Sequence, residues 1–432
     1  MLMRMVMLVL FCITPGLLQA RANPPVVHLS LKDVLERSMT ISVHVLVANA
    51  RIDQALAQVD QSRSSLLPQI SAMMNGQRQS KDLRTSGIAF PAMPNYTGPF
   101  NSFDARARMT QTIFDLGTLE RLKTARFNQQ LSLTELQKAR EDVLALVAIL
   151  YIQAKRAKEL KDSMELFLIR DRMTLKLFKT EYAEGAKTLL ELVKAKAVYA
   201  HSLSLLKNAR IEAKERCLDL QAALMIDPGV KVVFDLNEDM TLLTHRYLKI
   251  PSRSLEHALA LDQWNVAKAQ VEQSKADLLP RVSLIGDYGR AGENPRKASN
   301  TYTLGLLATM PIWQGGSQQA KLAEAKAKVV ETQVIMDDTK NQSIIKVIVA
   351  KENILKAQSM IKSQYAEMDV SAQQLSVMKQ QYNDGSASLL DLVKARAQDG
   401  YDRDQYRESI AVLWTALIAL AKVQGQMQAM LL

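Results

Sequence analysis

The sequence predicts a mainly α-helical protein with a smaller β component, in which two long helical hairpins are each preceded by a pair of strands. Three observations support this fold class: a motif that occurs twice, two long stretches of helical periodicity, and segments of alternating polarity. The chain has 432 residues but only 16 glycines and 12 prolines. Because these residues interrupt regular structure, their scarcity predicts a few long elements rather than many short ones.

The chain repeats one plan in the same order. The stretch YAEGAKTLLELVKA begins at Tyr182, and YNDGSASLLDLVKA begins at Tyr382. Two further pairs keep that order: SSLLPQIS with ADLLPRVS, and IFDLG with IWQGG, at residues 64–71, 276–283, 113–117 and 312–316. An internal duplication explains this better than chance. We therefore expect a signal peptide at 1–22, a first repeat at 23–226, a linker at 227–252 and a second repeat at 253–432.

The first residues have the pattern of a secretory signal. Arg4 precedes an apolar run, and the small-x-small sequence Ala20-Arg21-Ala22 follows it. The alternative, an uncleaved anchor, is weaker because the apolar core is shorter than the roughly 20 residues of a membrane span. After cleavage, Cys217 would be the one remaining cysteine, which excludes an internal disulfide. The formal charge of +11 would lose two arginines; in an exported chain it argues against nucleic acid and leaves acidic lipid or anionic solutes as partners.

Each repeat begins with a helix and continues with two strands. A helix over about residues 31–66 should end before Pro68, and Pro280 has the same role in the second repeat. Polarity then alternates with period two over about 10 to 12 residues, the length that a tilted strand needs to cross a bilayer. The alternative is a sheet of a soluble sandwich, for which four strands are too few. The apolar faces are Phe103, Ala105, Ala107, Met109 and Ile113, and Tyr302, Leu304, Leu306, Ala308, Met310 and Ile312; residues 69–79 and 281–289 are the weaker partner strands.

Helical periodicity follows and persists for an unusual distance. Apolar residues recur at alternating steps of three and four from Leu136 to Phe178 and from Ile354 to Tyr382, and neither stretch contains proline. This is coiled-coil spacing. At a rise of 1.5 Å per residue, about 65 residues would form a rod about 100 Å long.

The duplicated motif marks the tip of each helical hairpin. Gly185 and Gly385 can adopt the left-handed conformation that ends a helix. Thr188 and Ser388 can cap the returning helix, and Glu191 and Asp391, three residues later, complete a capping box. The returning helices are expected at about residues 189–224 and 389–424.

Four strands cannot close into a barrel alone, because both edges would present unpaired backbone to lipid. Three chains would supply twelve strands, an even number known for outer-membrane barrels, whereas two would give an eight-stranded barrel with a filled interior. We therefore expect a trimeric 12-stranded β-barrel that continues into a helical tube.

The chain resembles a known family, the TolC-type outer-membrane efflux proteins. The resemblance rests on the duplicated LLP, on YTLGLLATMPIWQGG at residues 302–316, and on both tip motifs. It implies a homotrimer with a barrel in outer-membrane lipid and an α-helical tunnel through the periplasm of a Gram-negative bacterium. It also implies that the tips, with Gly185, Thr188, Gly385 and Ser388, dock a periplasmic adaptor served by an inner-membrane pump of RND, ABC or MFS type. Small molecules or proteins would leave through this conduit.

Several positions depart from the family pattern or admit two interpretations. Thr112 stands where the second repeat has Pro311, so the two strand-to-helix junctions should differ. Glu191 and Asp391 match one acidic ring of the tip aperture, but they are equally interpreted as cap residues. Lys194 and Lys394 stand where a second acid would be expected, which predicts a less cation-selective aperture.

Two arginines fall on the polar face of the first-repeat strand. Arg106 and Arg108 would face the barrel lumen and favour anionic solutes, unless that face is simply solvated without selectivity.

No enzyme, cofactor or metal site is expected. The five histidines contain no pair at metal-ligand spacing on a helix, and neither a phosphate-binding glycine loop nor a nucleophile elbow occurs; the histidines are His28, His44, His201, His245 and His257. The competing hypothesis is a non-conducting periplasmic coiled-coil adaptor or scaffold. Adaptors usually carry one hairpin beside lipoyl-like and barrel domains, so two hairpins that each follow membrane-length strands favour the channel.

Overall fold

The computed structural model describes residues 26–82, 96–227, 229–234 and 254–431. The predicted signal peptide, most of the loop between the first two strands, and most of the predicted linker, including His245, lie outside the described residues.

The described elements follow the duplicated plan. The first repeat has a pair of helices, two strands, a very long helix and a shorter returning helix, and the second repeat has one helix before the same series. In chain order the elements are β1 (Val26–Leu29), α1 (Leu31–Ile41), α2 (Val43–Ser64), β2 (Gln69–Asp82), β3 (Tyr96–Phe114), α3 (Leu116–Ala183), α4 (Leu189–Ala223), β4 (Lys231–Phe234), α5 (Leu255–Ala276), β5 (Arg281–Gly292), β6 (Ala298–Thr309), α6 (Ser317–Asn383), α7 (Leu389–Gln424) and α8 (Met427–Leu431).

The helices α3 and α6 are the long elements that the sequence predicts. They contain 68 and 67 residues, which correspond to rods of about 100 Å. Each packs against its returning helix, α3 with α4 and α6 with α7. The helices α4 and α7 begin at the predicted positions. Among the described residues, no helix combines the length and the apolar character needed to cross a membrane.

The first helix of the chain is divided, which differs from the single helix expected over residues 31–66. Ser42 separates α1 from α2 and has an extended backbone, with φ −60° and ψ 129°. The hydroxyls of Ser38 and Thr40 donate to the carbonyls of Leu35 and Arg37, at 2.7 and 2.8 Å. Such local bonds compete with the helical ladder and favour a break at this point.

The main hydrophobic core joins the helices of both repeats. Val34 and Leu35 from α1 belong to the same buried cluster as Leu144 of α3 and Trp414 and Ile418 of α7. The short C-terminal helix α8 is fastened to this core, because Glu141 accepts a hydrogen bond of 2.5 Å from the backbone of Met427. Both repeats therefore form one structural unit in this region.

The strands form a four-stranded antiparallel sheet in the order β2-β3-β5-β6, so the pairing of β3 with β5 joins the repeats. Directly paired residues share a face, and the register therefore separates an apolar face from a polar one. The apolar face carries Ile70, Ala72 and Met74; Ala105, Ala107 and Met109; Leu284 and Tyr288; and Tyr302, Leu304 and Leu306. The opposite face is mainly polar and carries Ser71 and Asn75; Asp104, Arg106 and Arg108; Ser283 and Asp287; and Thr301 and Thr303; the apolar residues Met73, Ile285 and Leu307 also lie on it.

The strands extend further into the predicted loops than the sequence indicates. Lys81 pairs with Thr97, and Gly292 pairs with Ala298, so both hairpins continue through polar residues. At its other end β6 stops at Thr309, before the predicted end of the strand. Proline has no N–H group to donate to a strand ladder, so Pro311 does not extend the pairing of β6 with β5.

One small sheet was not predicted. β1 and β4 pair in parallel, with Val27 opposite Val232 and His28 opposite Val233. The second of these strands lies in the segment that the sequence predicts as an irregular linker. Four-residue strands give too short a pattern to detect, and their pairing joins residues about 200 positions apart in the sequence, which local propensity does not encode.

Candidate functional site

The two hairpin tips have the same backbone geometry. Gly185 and Gly385 have φ values of 78° and 76°, in the left-handed region. The N–H of Gly185 donates to the carbonyl of Tyr182 at 3.1 Å, and the next N–H, of Ala186, donates to Glu181 at 2.8 Å. The second tip repeats both bonds. A Cβ at either glycine would meet nothing within 4 Å, so glycine is favoured here by its backbone conformation and not by lack of space.

Both predicted capping boxes are present. The hydroxyl of Thr188 donates to the Glu191 carboxylate and accepts from the Glu191 N–H, at 2.9 and 3.3 Å. Ser388 and Asp391 do the same, at 2.6 and 3.3 Å. The bonds to Thr188, first from its backbone and then from its hydroxyl, lower the pKa of Glu191. The hydroxyl and then the backbone of Ser388 lower the pKa of Asp391. These acids are cap residues, and their role at an aperture stays a prediction.

The lysines of the tips lie near these acids. Lys394 and Lys194 both lower the pKa of Asp391 by their positive charge, after the larger effects of Ser388. Since Lys194 belongs to the first repeat, the two tips are close enough to interact electrostatically. The tips thus combine acidic and basic groups, and the lower cation selectivity that the sequence predicts for the aperture stays a prediction.

An apolar cluster holds the tips of the two repeats together. This tip cluster consists of Phe178, Leu192, Ala195 and Leu389, with Leu175, Tyr382 and Val393 packed against it.

Lys187 spans the tip cluster. Its amine lies 5.3 Å from the ring centre of Phe178 and 5.9 Å from that of Tyr382, and 3.6 Å from the Glu191 carboxylate. Such contacts are cation–π interactions combined with an ion pair. The sequence analysis missed Lys187; the available signal was that Ala387 takes its place in the second motif, so the lysine is not needed for the turn itself.

On the strand sheet, Arg106 and Arg108 lie on the polar face, but neither is a free cation. Arg106 donates to Asp104 at 2.7 Å and to Asp287 at 3.0 Å, while Arg108 lies 4.0 Å from the other oxygen of Asp287. The side chain of Asp287 is only 7% exposed. We call these four residues the Arg–Asp network. Its two positive and two negative charges balance, so the expected preference for anions loses its electrostatic basis at this level.

Asp287 was missed because β5 shows weaker alternation than β3. The position opposite Arg106 is Gly289, and a Cβ there would lie 2.3 Å from the carbonyl oxygen of Ala105 and 2.5 Å from the Cα of Arg106. The glycine therefore permits close approach of β3 and β5, which brings Asp287 to both arginines.

The two strand-to-helix junctions differ, as the presence of Pro311 in one repeat predicts. In the first repeat β3 leads directly to Asp115, whose carboxylate accepts from the Thr118 N–H at 3.0 Å and caps α3. In the second repeat a non-helical segment leads through Gly315 and Gly316, with φ values of 62° and 83°, to α6.

Among the residues that the structure describes, no group of three or more histidine, cysteine or acidic side chains could hold a metal ion.

Comparisons with known proteins agree with this architecture. The sequence matches the family described as outer membrane efflux protein over residues 34–224 and 253–426, which is most of the chain. A relative from Pseudomonas aeruginosa, the pyoverdine export outer membrane protein OpmQ, is 26% identical over 319 residues, which are 70% of this chain and 65% of that protein. The matched stretch is thus slightly less than two thirds of that relative.

Another relative is the outer membrane protein TolC of Escherichia coli, 21% identical over 85% of this chain and 76% of that protein. Among solved structures, the Campylobacter jejuni CmeC outer membrane channel has the same fold, with a TM-score of 0.78 and 17% identity over 92% of this chain and 85% of that one. The long family match, with a strand sheet and helical hairpins arranged as in such channels, shows that the chain belongs to the outer membrane efflux protein family, whose members are outer-membrane transport conduits and not enzymes.

Proposed function

We propose that three copies of this chain form a continuous conduit from the periplasm to the cell exterior. Each chain would contribute four strands to a twelve-stranded barrel in the outer membrane and two helical hairpins to a periplasmic tunnel. The observation that carries the proposal is the four-stranded sheet, which has one mainly apolar face, one mainly polar face and two edges without a partner strand among the described residues.

The edges support assembly from several copies. β2 and β6 are the outer strands, and each presents backbone groups on one side that the described part of the chain does not pair. In lipid such groups cost several kcal/mol each, roughly, so the edges must meet strands of another copy. Three chains give twelve strands, which leaves an open lumen, while two give a barrel filled by side chains.

The two faces support a barrel wall. Tyr302, Leu304 and Leu306 on the apolar face are 80%, 72% and 71% exposed. Such a surface is unfavourable in water and suits contact with outer-membrane lipid. The opposite face, with the Arg–Asp network and the threonines of β6, suits a hydrated lumen.

The hairpins support the tunnel. The helix α6 exposes several large apolar side chains along its length, among them Ile344, Ile345, Ile348 and Val349. Neighbouring hairpins in an assembled tube would cover them. The scaffold alternative would leave these side chains and the apolar sheet face without partners.

The tips are the proposed docking and aperture region. Gly185, Thr188, Gly385 and Ser388 would present the turns to a periplasmic adaptor that connects the tunnel to an inner-membrane pump of RND, ABC or MFS type. Glu191, Asp391, Lys194 and Lys394 would line the aperture. Cargo would be small molecules or proteins; the relative named for pyoverdine export supports small molecules.

Electron microscopy of the detergent-purified protein, followed by planar-bilayer recording, tests the proposal. We expect a threefold particle with a short barrel and a tube about 100 Å long, and discrete conductance steps. A Leu304→Arg variant, with the charge on the lipid-facing side, should fail to insert, whereas Thr303→Arg, the matched change on the lumen side, should insert. A monomeric or dimeric rod without conductance would favour the adaptor or scaffold.

A further inference from the structure

A cavity of about 520 Å³ lies in the helical part of the protein, between α3, α4 and α7. Its volume is within the range of about 300–1,000 Å³ typical of small-ligand sites. Phe167, Met164 and Leu205 form apolar walls. Val393 lines the cavity and also packs against the tip cluster, so the cavity begins where that cluster ends.

The position of α7 beside this cavity depends on a glycine. A Cβ at Gly400 would lie 2.8 Å from the Phe167 ring, so glycine lets the ring and α7 approach each other closely. Both Phe167 and Gly400 line the cavity.

Arg396, a half-buried residue of the cavity wall, has side-chain donors without partners. The Nε and Nη1 atoms of Arg396 are buried and have no hydrogen-bond partner. Burial, followed by the positive charge of Arg170, lowers the pKa of Arg396. A guanidinium stays charged in proteins, so two of its donors lie in a poorly hydrated site without an acceptor.

The acids of the cavity wall do not supply that acceptor. Asp171 accepts a hydrogen bond from Ser202. Asp404 lies 3.9 Å from Arg407, outside the cavity. The wall thus contains Arg170, Arg396 and His201 with two acids. The charge of Asp171 acts on Arg396, but neither acid accepts a hydrogen bond from the Nε or Nη1 atom of Arg396.

We propose that this cavity binds a small amphipathic anion, with its apolar body against Phe167 and Leu205 and its carboxylate, sulfonate or phosphate group on Arg396. The anion would bind the part of the Arg396 guanidinium that lines the cavity and offset its poorly solvated charge, and its apolar part would fill a volume that is otherwise open. The site lies in the tunnel wall and does not depend on closure of the barrel.

A pair of fluorescent probes of nearly equal shape tests the proposal on the assembled, full-length protein in amphipol. The first is 8-anilinonaphthalene-1-sulfonate, an amphipathic anion; the second is N-phenyl-1-naphthylamine, which has the same aromatic body without the sulfonate. Binding of both is measured by fluorescence titration. Arg396→Gln should weaken binding of the sulfonate about tenfold or more, as expected for loss of a charge-assisted hydrogen bond, and leave the neutral probe unchanged.

Two further variants keep the test decisive. Ala197→Phe places a bulky side chain at an exposed position on the cavity wall and retains Arg396, so it should weaken both probes. Arg172→Gln removes an exposed arginine outside the cavity and should change neither. If Arg396→Gln does not assemble, the Ala197→Phe titration decides.

Equal binding of the sulfonate by the wild type, Arg396→Gln and Ala197→Phe overturns the proposal. The absence of binding to the wild type also overturns it, and a neighbouring copy that covers the cavity in the assembly would give this result. Bilayer conductance of the same preparations is read separately. A preparation that conducts but does not bind the sulfonate rejects the site alone, whereas one that binds it without conducting rejects only the conduit.

Discussion

Replacement of Asp287 by asparagine should make the conduit prefer anions. The Arg–Asp network carries two positive and two negative charges, and Asp287 contacts both arginines, at 3.0 and 4.0 Å. Asparagine has nearly the same shape but no charge, so each chain gains one net positive charge on the polar face. In the proposed trimer, three such charges would surround the lumen.

The size of the effect follows from Coulomb's law. For an ion about 10 Å from each charge in water, one charge contributes about 0.4 kcal/mol and three contribute about 1.2 kcal/mol. Screening over a Debye length of about 10 Å reduces the sum to about 0.5 kcal/mol. Because anions gain this energy and cations lose it, the permeability ratio should change about fivefold toward anions.

The assay is the reversal potential of single channels in a salt gradient. Asp287→Glu, which keeps the charge, should stay close to the wild type. Glu293→Gln, which removes an acid from an exposed pair with Lys297 in the β5–β6 turn, should have a much smaller effect. An unchanged reversal potential in a well-assembled Asp287→Asn protein would mean that the network does not face the conducting path, and the orientation of the sheet would have to be revised.

Four further predictions concern the tips and the C-terminus. Gly385→Val should destabilise the second tip by about 1–2 kcal/mol or more, because a β-branched residue disfavours the left-handed conformation. Gly385→Asn should destabilise it less, because asparagine adopts that conformation more readily. Equal protection of the tip amides from hydrogen exchange in the two variants would contradict this. The double variant Glu191→Ala/Asp391→Ala should change the single-channel conductance if these acids line the aperture. The double variant Thr188→Ala/Ser388→Ala removes the capping hydroxyls but keeps the charges, and it serves as the control. The same conductance change in both double variants would assign the effect to capping alone. The pKa values of Glu191 and Asp391 are lowered in the folded state, so the two carboxylates stabilise the tips fully above the ordinary carboxylate pKa of about 4. This stabilisation is lost as the pH falls through the lowered pKa values. Hydrogen exchange of the tip amides, measured as a function of pH, should detect the loss. Burial raises the pKa of Glu141, and Glu141→Gln keeps an acceptor for the Met427 N–H while removing the charge, so this variant should melt near the wild-type temperature. Glu141→Ala should lower the free energy of unfolding by about 1–3 kcal/mol. Similar melting temperatures of the two variants would show that the hydrogen bond to α8 contributes little.

The helical hairpins could be predicted in detail because their determinants are local. Gly185 and Gly385 specify the turns, and each cap residue bonds to an acid three positions later, so short sequence patterns suffice. The alternation of polar and apolar residues in β3 could be recognised equally well, and it correctly placed Arg106 and Arg108 on one face. These features repeat in both halves of the chain, which makes each occurrence support the other.

The features that sequence analysis missed depend on contacts between distant segments. Asp287 reaches Arg106 only because the register pairs β3 with β5, and no spacing rule relates two residues so far apart. The role of Lys187 requires Tyr382 from the other repeat. Arg396 is unusual because two of its nitrogens are buried without a hydrogen-bond partner in the folded chain. From the sequence, a basic residue on a helix predicts a solvated side chain.

The pairing of β3 with β5 has a consequence for symmetry. It is a contact between two copies of one ancestral unit, made inside a single chain. If β6 of one chain meets β2 of the next, that contact again joins the hairpin of a second repeat to that of a first, and a ring of three chains becomes a ring of six similar units. The duplication then allows alternate units to diverge: Lys187 in one tip faces the second unit, where Ala387 stands at the same place. A threefold assembly can in this way have two kinds of tip, and a partner protein that contacts the ring can distinguish them.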